Sequence, residues 1–399
     1  MNAHRFPGVM DARAQGRVLA DNGGGAQMPA EALAAMSEFA ARQNAQKGGG
    51  FARKTHTSET IAAARAAFAD LLGVASDTVG FAQNATSAGF SLARCIAHVI
   101  RPGDRVVVTD ADHMANVAPW AWLQRFGAQI ERIPVDRSGD LDEAAYAAAL
   151  AREPVLVALP WASNATGTIF DVARLAAAAK DAGAIVVADA VQAAPHLRVD
   201  VPEHIDALTF SGYKIYAPHF GAWYAAPAFA ERFFTTDLAA EIPSGATFWS
   251  METGTQNHEG LAGWIGTHAY LREAGNGSAR AAMDMFAAYE RDLTADVLAR
   301  FAQRGDITLY GKPGGSRLPV FAFNLRGVAP AVVAQTLDAA GIEASIGNYY
   351  ATRLMATLAP ETAGSAVRIS FAHYSEAEDV HRCFAALDTL AGSAVPVRA

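Results

Sequence analysis

Ala184-Ile-Val-Val-Ala-Asp189 is a short apolar run that ends in a carboxylate. Such a run, rich in β-branched residues and preceded by glycine, is typical of a buried strand. Comparable runs occur at residues 78–81, 105–109, 129–135, 155–159 and 207–210, with segments of helical periodicity between them. Strands that alternate with helices predict an α/β fold with a doubly wound, mostly parallel sheet covered on both faces.

The helical periodicity predicts the helices that cover this sheet. It also predicts a smaller second α/β unit in the C-terminal part of the chain. The predicted helices span residues 29–43, 58–72, 85–99, 112–126, 143–151 and 171–182, with Asp171 as an N-cap. Residues 228–276 are expected to be mostly loops, and a long helix should follow at 278–303. A second α/β sandwich is predicted from strands at 320–325, 343–346 and 367–371 and helices at 329–340 and 376–390. We therefore expect an extended N-terminal arm (1–28), a large domain (29–275) and a small C-terminal domain (276–399).

The composition excludes several classes of protein. Of the 399 residues 51% are hydrophobic and 18% are charged, which fits a large core and a buried subunit interface. No run of Lys and Arg alternates with aromatic residues, so nucleic-acid binding is not expected. Cys95 and Cys383 are too few for a disulfide framework. The chain lacks a signal-peptide pattern and the ~20 apolar residues that a membrane helix needs, so we expect a cytoplasmic protein.

Polar side chains follow several predicted strands at the point where each strand ends. They are Asp112 and His113, Ser163 and Asn164, Asp189, and Ser211 with Lys214. In open parallel sheets ligands bind at the carboxyl ends of the strands. These side chains are therefore expected to converge on one binding site, in which no metal is expected.

Lys214 is flanked by bulky residues in Thr209-Phe-Ser-Gly-Tyr-Lys-Ile-Tyr-Ala-Pro-His-Phe-Gly221, which should bury it. Burial lowers the pKa of a lysine and makes its amine a nucleophile. Such an amine forms a Schiff base with pyridoxal phosphate (PLP), and a carboxylate such as Asp189 pairs with the pyridinium nitrogen. Gln192 lies three residues after Asp189 and could donate to the phenolate oxygen of the ring. The alternative for Lys214 is an ordinary surface lysine in a loop, and the alternative for Asp189 is a helix N-cap.

Two further features fit a planar phosphorylated ligand. Asn84-Ala-Thr86-Ser87-Ala-Gly89 opens a helix, and backbone N–H groups at a helix N-terminus bind phosphate. His113 could stack on a planar ring. The alternative for the segment Asn84–Gly89 is an ordinary Ser/Thr helix cap, and the alternative for His113 is a hydrogen-bonded loop histidine.

Taken together, the motifs resemble the class V, fold-type I PLP enzymes, and within them the cysteine-desulfurase-like group. The resemblance runs from Asn22 to the C-terminal helix. Its segments are Asp112-His-Met-Ala-Asn116, Ser163-Asn-Ala-Thr-Gly167, Asp189-Ala-Val-Gln192, Ser211-Gly-Tyr-Lys214, Glu252-Thr-Gly-Thr255 and Val367-Arg-Ile-Ser370. It implies PLP as cofactor, Lys214 as the Schiff-base lysine, Asp189 as the pyridinium partner and His113 as the stacking residue.

The resemblance also implies the remaining binding residues. Asn164 would lie near the phenolic oxygen, and Arg368 would bind the carboxylate of a small amino-acid substrate. Thr86, Ser87, Ser211 and Thr255 would hold the phosphate, with Thr255 contributed by the partner subunit of a homodimer with shared active sites.

Two residues depart from the family pattern. Tyr213 stands immediately before the lysine, where many relatives have histidine. Tyr350 stands on the loop before the arginine strand, where desulfurases carry the nucleophilic cysteine. Neither Cys95 nor Cys383 belongs to that loop.

The expected activity follows from this pattern. An amino acid would form an external aldimine, and Lys214 would remove the Cα proton. Without the loop cysteine, cleavage of a Cβ–X bond such as C–S is favoured, with transamination and epimerisation as alternatives. A catalytically silent PLP-fold partner protein and a dinucleotide-binding dehydrogenase are the alternatives from other classes. The dehydrogenase is disfavoured because no G-x-G-x-x-G follows the first strand.

Overall fold

The computed structural model describes residues 1–234, 251–314 and 316–390. Its central element is a seven-stranded sheet with the order β2-β8-β7-β6-β5-β3-β4. The strands are β2 (Val79–Ala82), β3 (Arg105–Thr109), β4 (Gln129–Ile133), β5 (Leu156–Pro160), β6 (Ile185–Asp189), β7 (Ala207–Ser211) and β8 (Gly221–Ala225). Strands β4, β3, β5, β6 and β7 are parallel, whereas β8 runs antiparallel to both β7 and β2. The predicted α/β fold with a mostly parallel sheet is confirmed.

Strand β8 was not predicted. Gly221-Ala-Trp-Tyr-Ala225 lacks the β-branched residues that mark the other strands, and its position is set by pairing with two distant segments.

Helices cover both faces of the sheet. In the described residues the α-helices are Pro7–Ala14, Ala30–Glu38, Ala52–Leu72, Ala85–Ile96, Ala118–Ala121, Glu143–Leu150, Val172–Asp181, Pro227–Phe233, His258–Ala274, Ala279–Ala302, Pro330–Ala339, Thr352–Leu358 and Ala377–Asp388. Asp171 caps the seventh of these by accepting from the Arg174 N–H at 3.1 Å, as predicted. Two apolar clusters lie on the sheet, one built around Phe68, Phe210 and Trp264 and the other around Trp120 and Trp223.

A second sheet of four antiparallel strands lies in the C-terminal part, with the order β12-β13-β10-β9. These strands are β9 (Ile307–Leu309), β10 (Val320–Leu325), β12 (Ser345–Gly347) and β13 (Ala366–Ser370). The N-terminal segment adds β1 (Val18–Leu19), which pairs in parallel with β11 (Ile342–Glu343). That segment also contains the helix Pro7–Ala14, so the expectation of a purely extended arm was wrong. The division into a large and a small domain stays a prediction.

Three other predicted segments differ from the structure. Residues 112–126 do not form one helix, because Pro119 fits only the first turn of a helix and the helix restarts at Ala118. Residues 343–346 form parts of two strands rather than one. The stretch 228–276, expected to be mostly loops, contains the helix His258–Ala274 and most of Pro227–Phe233, while residues 235–250 lie outside the described residues.

The helix His258–Ala274 contains three glycines that sequence propensity counts against a helix. Gly266 lies so close to the helix Ala30–Glu38 that a Cβ atom on Gly266 would meet the Glu31 carbonyl oxygen at 2.3 Å. Tertiary packing therefore explains this helix. In the part of the chain that the structure describes, no helix is long and apolar enough to cross a membrane.

Candidate active site

A cavity of ≈ 760 Å³ opens at the carboxyl ends of the parallel strands, next to the C-terminal sheet. Eight of the ten predicted site residues line it: Thr86, His113, Asn164, Asp189, Gln192, Ser211, Lys214 and Arg368. Ser87 and Thr255 do not. The convergence expected from the strand ends is therefore present at β3, β5, β6 and β7, except that Ser163 does not line the cavity. Its hydroxyl oxygen instead accepts from the Ala165 and Thr166 N–H groups.

Lys214 ends a single 3₁₀ turn directly after β7 and is only 8% exposed. Its amine donates hydrogen bonds to the backbone carbonyls of Gly23 and Gly24, the latter at 2.8 Å. Burial, helped by the charge of Arg368, lowers the pKa of Lys214 to about 7. A large fraction of this amine is therefore neutral at physiological pH, as a nucleophile or base requires.

Asp189 is the last residue of β6 and lines the same cavity. Burial raises the pKa of its carboxyl group to about 6. Its Oδ1 accepts from the Val191 N–H at 2.8 Å, which is a capping contact, but turns rather than an α-helix follow it. A half-buried carboxylate at the cavity wall is suited to a cationic ligand atom.

Gln192 and Asn164 line the cavity and have polar atoms that lack hydrogen-bond partners in the described ranges. Gln192 is 3% exposed, and neither atom of its amide has a hydrogen-bond partner within residues 1–234, 251–314 and 316–390. Asn164 donates from Nδ2 to the Tyr349 carbonyl at 2.8 Å, while its Oδ1 is buried without a partner in the same ranges. Because unpaired buried polar groups are costly, these atoms indicate a polar ligand.

The helix Ala85–Ile96 points its N-terminus at the cavity, and Thr86 is exposed there. Ser87 instead closes a capping box, in which its hydroxyl oxygen accepts from the Asn84 N–H at 3.1 Å. The same hydroxyl donates to the Asn84 carbonyl at 2.8 Å. The helix N-terminus and Thr86 thus offer donors to an anion, whereas the Ser87 hydroxyl is used by the cap.

His113 lies where the chain leaves β3. Its Nδ1 accepts from the Ala115 N–H at 3.0 Å, so the neutral imidazole carries its proton on Nε2. Burial, together with the charges of Lys214 and Arg368, lowers the pKa of His113 to about 4, so the ring is neutral at pH 7. Asp112 beside it is buried and accepts from Thr109 and Asn116, both at 2.7 Å.

Asp21 was missed by the sequence reasoning. Its carboxylate binds Arg368 at 2.5 Å and accepts the Ser345 hydroxyl at 2.5 Å. Arg368 also donates to the Asn164 carbonyl at 2.9 Å, and its Nε is buried without a partner in the described ranges. The only local signal was the Asp21-Asn-Gly-Gly-Gly25 turn that follows an apolar run.

The loop at residues 347–351 closes the C-terminal side of the cavity. The Tyr349 ring lies under Arg368, with the guanidinium carbon 4.5 Å from the ring centroid. Tyr350 is 71% exposed, and its ring centroid is 5.5 Å from that of His113. Tyr213, the other departure from the family pattern, stacks on His219 with ring centroids 4.9 Å apart.

The remaining residues singled out from the sequence lie elsewhere. Thr255 is exposed, and Gln46 donates to its hydroxyl at 3.4 Å. Cys95 and Cys383 lie on helices away from the cavity lining, and burial raises the pKa of their thiols to about 11 and 12. Within the described ranges no group of three or more His, Cys, Asp or Glu side chains could hold a metal ion.

The residues present fit PLP. Lys214 can bind its aldehyde carbon, Asp189 its ring nitrogen, and Gln192 or Asn164 its phenolic oxygen. The N-terminus of Ala85–Ile96 with Thr86 can hold its phosphate. The unpaired Gln192 amide and the Asp189 carboxyl group in the same cavity lining are the observations that support this fit.

Comparison with known proteins agrees with this fit. The family model for aminotransferase class-V matches residues 18–383. A cysteine desulfurase of Yersinia pestis (strain Pestoides F) is 31% identical over 348 residues, which cover 84% of this chain and 83% of the relative.

Solved structures of cysteine desulfurases superpose on nearly the whole chain. The apo enzyme from Thermococcus onnurineus NA1 has a TM-score of 0.86 and 26% identity, and covers 97% of this chain and 98% of its own. An Escherichia coli cysteine desulfurase has a TM-score of 0.83 and 25% identity, with 98% of each chain covered. The chain therefore belongs to the aminotransferase class-V family and is a PLP-dependent enzyme related to the cysteine desulfurases.

Proposed function

We propose that the protein cleaves a Cβ–X bond, such as C–S, of a small free amino acid without a persulfide relay. The observation that carries this proposal is the set of side chains that line one cavity. Lys214, Asp189 and Arg368 line it together. Tyr350 stands on the loop at residues 347–351, where desulfurases carry cysteine, and both cysteines of this chain lie elsewhere.

Each residue has a role that its surroundings support. Arg368 binds the substrate carboxylate, a role supported by its place in the cavity lining and by its Nε, which has no partner in the described ranges. The neutral Lys214 amine removes the Cα proton as a general base. Asp189 would hold the ring nitrogen of bound PLP protonated, and the cofactor would supply the electron sink that this reaction needs. His113, whose ring is neutral and lines the cavity, would pack against the bound cofactor.

The absence of a thiol from the cavity lining favours elimination over sulfur transfer. A persulfide relay needs a cysteine thiolate that attacks the substrate sulfur. Both Cys95 and Cys383 have raised pKa values and stand on buried or half-buried helix positions. Sulfur is therefore expected to leave as a thiol or sulfide.

Product analysis tests the reaction. We expect PLP-loaded protein to release pyruvate and ammonium from cysteine or an S-substituted cysteine, and the Lys214→Ala variant to release neither. Formation of the substrate's own keto acid with PLP converted to its amine form would show transamination. Racemised substrate would show epimerisation, and protein-bound persulfide would revive the sulfur-transfer reaction.

We further propose a homodimer in which Thr255 contacts the phosphate in the partner subunit. The low charged fraction of the chain and the exposure of Thr255 support this arrangement. Mixed dimers of Lys214→Ala subunits and Thr255→Ala subunits should then contain one site with both defects and one site with neither. Recovery of activity in such mixtures supports sharing, and a fully active monomer would contradict it.

A further inference from the structure

Met114 and Tyr350 have large side chains that line the cavity and remain open to solvent. Tyr350 is 71% exposed and Met114 is 41% exposed. Their backbones are joined, because the Met114 N–H donates to the Tyr350 carbonyl at 2.9 Å. We name these two side chains the apolar rim. Ile346 also lines the cavity and is exposed, but it pairs with Val367, so its side chain lies on the sheet face away from Arg368.

The rim is held in place by an unusual backbone. Tyr349 and Tyr350 both have left-handed φ angles, 56° and 58°, which non-glycine residues rarely adopt. The Asn164 amide donates to the Tyr349 carbonyl at 2.8 Å, and the Tyr350 N–H donates to Asn348 Oδ1 at 3.1 Å. A strained conformation that surrounding bonds enforce, with the side chain left uncovered, points to a ligand contact.

The rim lies next to polar side chains of the same cavity, namely Arg368 and His113. Arg368 packs on the ring of Tyr349, the residue directly before Tyr350. On the other side the Tyr350 ring meets His113. Arg368 and the rim therefore belong to the lining of one cavity, joined through Tyr349.

We propose that Met114 and Tyr350 bind the departing group of the substrate and select an apolar one. This inference rests on the proposed elimination and names its substrate class: cysteines that carry an alkyl or aryl group on sulfur. In the reaction the Cα–H and Cβ–S bonds break, and the sulfur leaves with the bonding electron pair and gains a proton. Hydrolysis of the remaining enamine gives pyruvate and ammonium, so one water is consumed and no oxidant is needed.

The test compares apolar and charged substituents in the PLP-loaded protein. We expect kcat/KM for S-benzyl-L-cysteine to exceed that for S-carboxymethyl-L-cysteine by about 10-fold or more, the range that apolar pocket contacts reach. Calorimetry should likewise show L-norleucine binding about 10-fold more tightly than L-alanine.

Variants test whether the preference for apolar substituents comes from the rim or from substitution of any exposed apolar side chain. Tyr350→Ala and Met114→Ala should each reduce both preferences several-fold, roughly as expected for the loss of one apolar contact. Tyr350→Phe should retain them, because the ring and not the hydroxyl makes the contact. Met285→Ala is the matched control, since Met285 is 40% exposed on the helix Ala279–Ala302 and does not line the cavity.

The possible failures can be told apart. If amino acids bind and react but apolar and charged substituents are treated alike, the rim is not a substrate site and the proposed elimination stands. If Tyr350→Ala splits a dimer and the wild type shows no preference, the rim is a subunit contact, which overturns the inference. If no amino acid binds or reacts, both the inference and the proposed function fail.

Discussion

Replacing Lys214 with methionine should change how the stability of the cofactor-free protein depends on pH. Burial lowers the pKa of Lys214 to about 7 in the folded protein, from an ordinary value of 10.5. Between these two values the amine is protonated in the unfolded chain and neutral in the folded one. Unfolding then takes up one proton, so this residue makes stability rise with pH from about 7 towards 10.5.

The size of the effect follows from the number of protons. One proton per unfolding event corresponds to about 1.4 kcal/mol per pH unit, so the wild type should gain about 3 kcal/mol relative to Lys214→Met between about pH 7 and about pH 9.5. Equilibrium unfolding in urea, measured for both proteins after removal of PLP at several pH values, gives this difference directly.

Lys47 provides the control, because it is exposed. The Lys47→Met variant should track the wild type across the same pH range to within about 0.5 kcal/mol. If the stability difference between Lys214→Met and the wild type is the same at both ends of the range, Lys214 is not held with a lowered pKa, and the reasoning about its buried neutral amine is wrong.

Three further variants test other parts of the site. Asp189→Ala should fold but lose most of its turnover. It should bind PLP at least about 100-fold more weakly in a spectroscopic titration, since the pyridinium nitrogen of the cofactor loses its partner. Near-normal kinetics would show that Asp189 is only a capping residue. Asp21→Asn removes a charge that raises the pKa of Lys214, so the midpoint of PLP incorporation against pH should move to lower pH, and an unchanged midpoint would contradict the coupling. The double variant Cys95→Ala, Cys383→Ala should keep the wild-type kcat/KM, whereas lost activity with a persulfide trapped on either wild-type cysteine would restore sulfur transfer.

The predictable part of the site was local in sequence. Asp189 and Lys214 stand at the ends of apolar runs, and the carboxyl edge of a parallel sheet brings such ends together whatever their distance along the chain. Helix caps such as Asp171 are equally local, because the cap and its N–H partner are three residues apart.

The unpredicted part depends on contacts between distant segments. Asp21 and Arg368 are separated by 347 positions, and nothing near Asp21 in the sequence indicates an arginine partner. Strand β1 is two residues long and exists because β11 lies beside it. The helix His258–Ala274 needs Gly263 and Gly266 for close packing on Ala30–Glu38, the opposite of what helix propensity suggests.

Attachment of the cofactor tests the central claim most directly. The PLP-loaded protein is reduced with borohydride and digested, and the lysine that carries the reduced cofactor is located by mass spectrometry. We predict a single modified residue, Lys214, and loss of the visible absorbance band of the bound cofactor in Lys214→Ala. Modification of another lysine, such as Lys180 or Lys312, or an unchanged band in the variant, would contradict the assignment of this cavity as the active site.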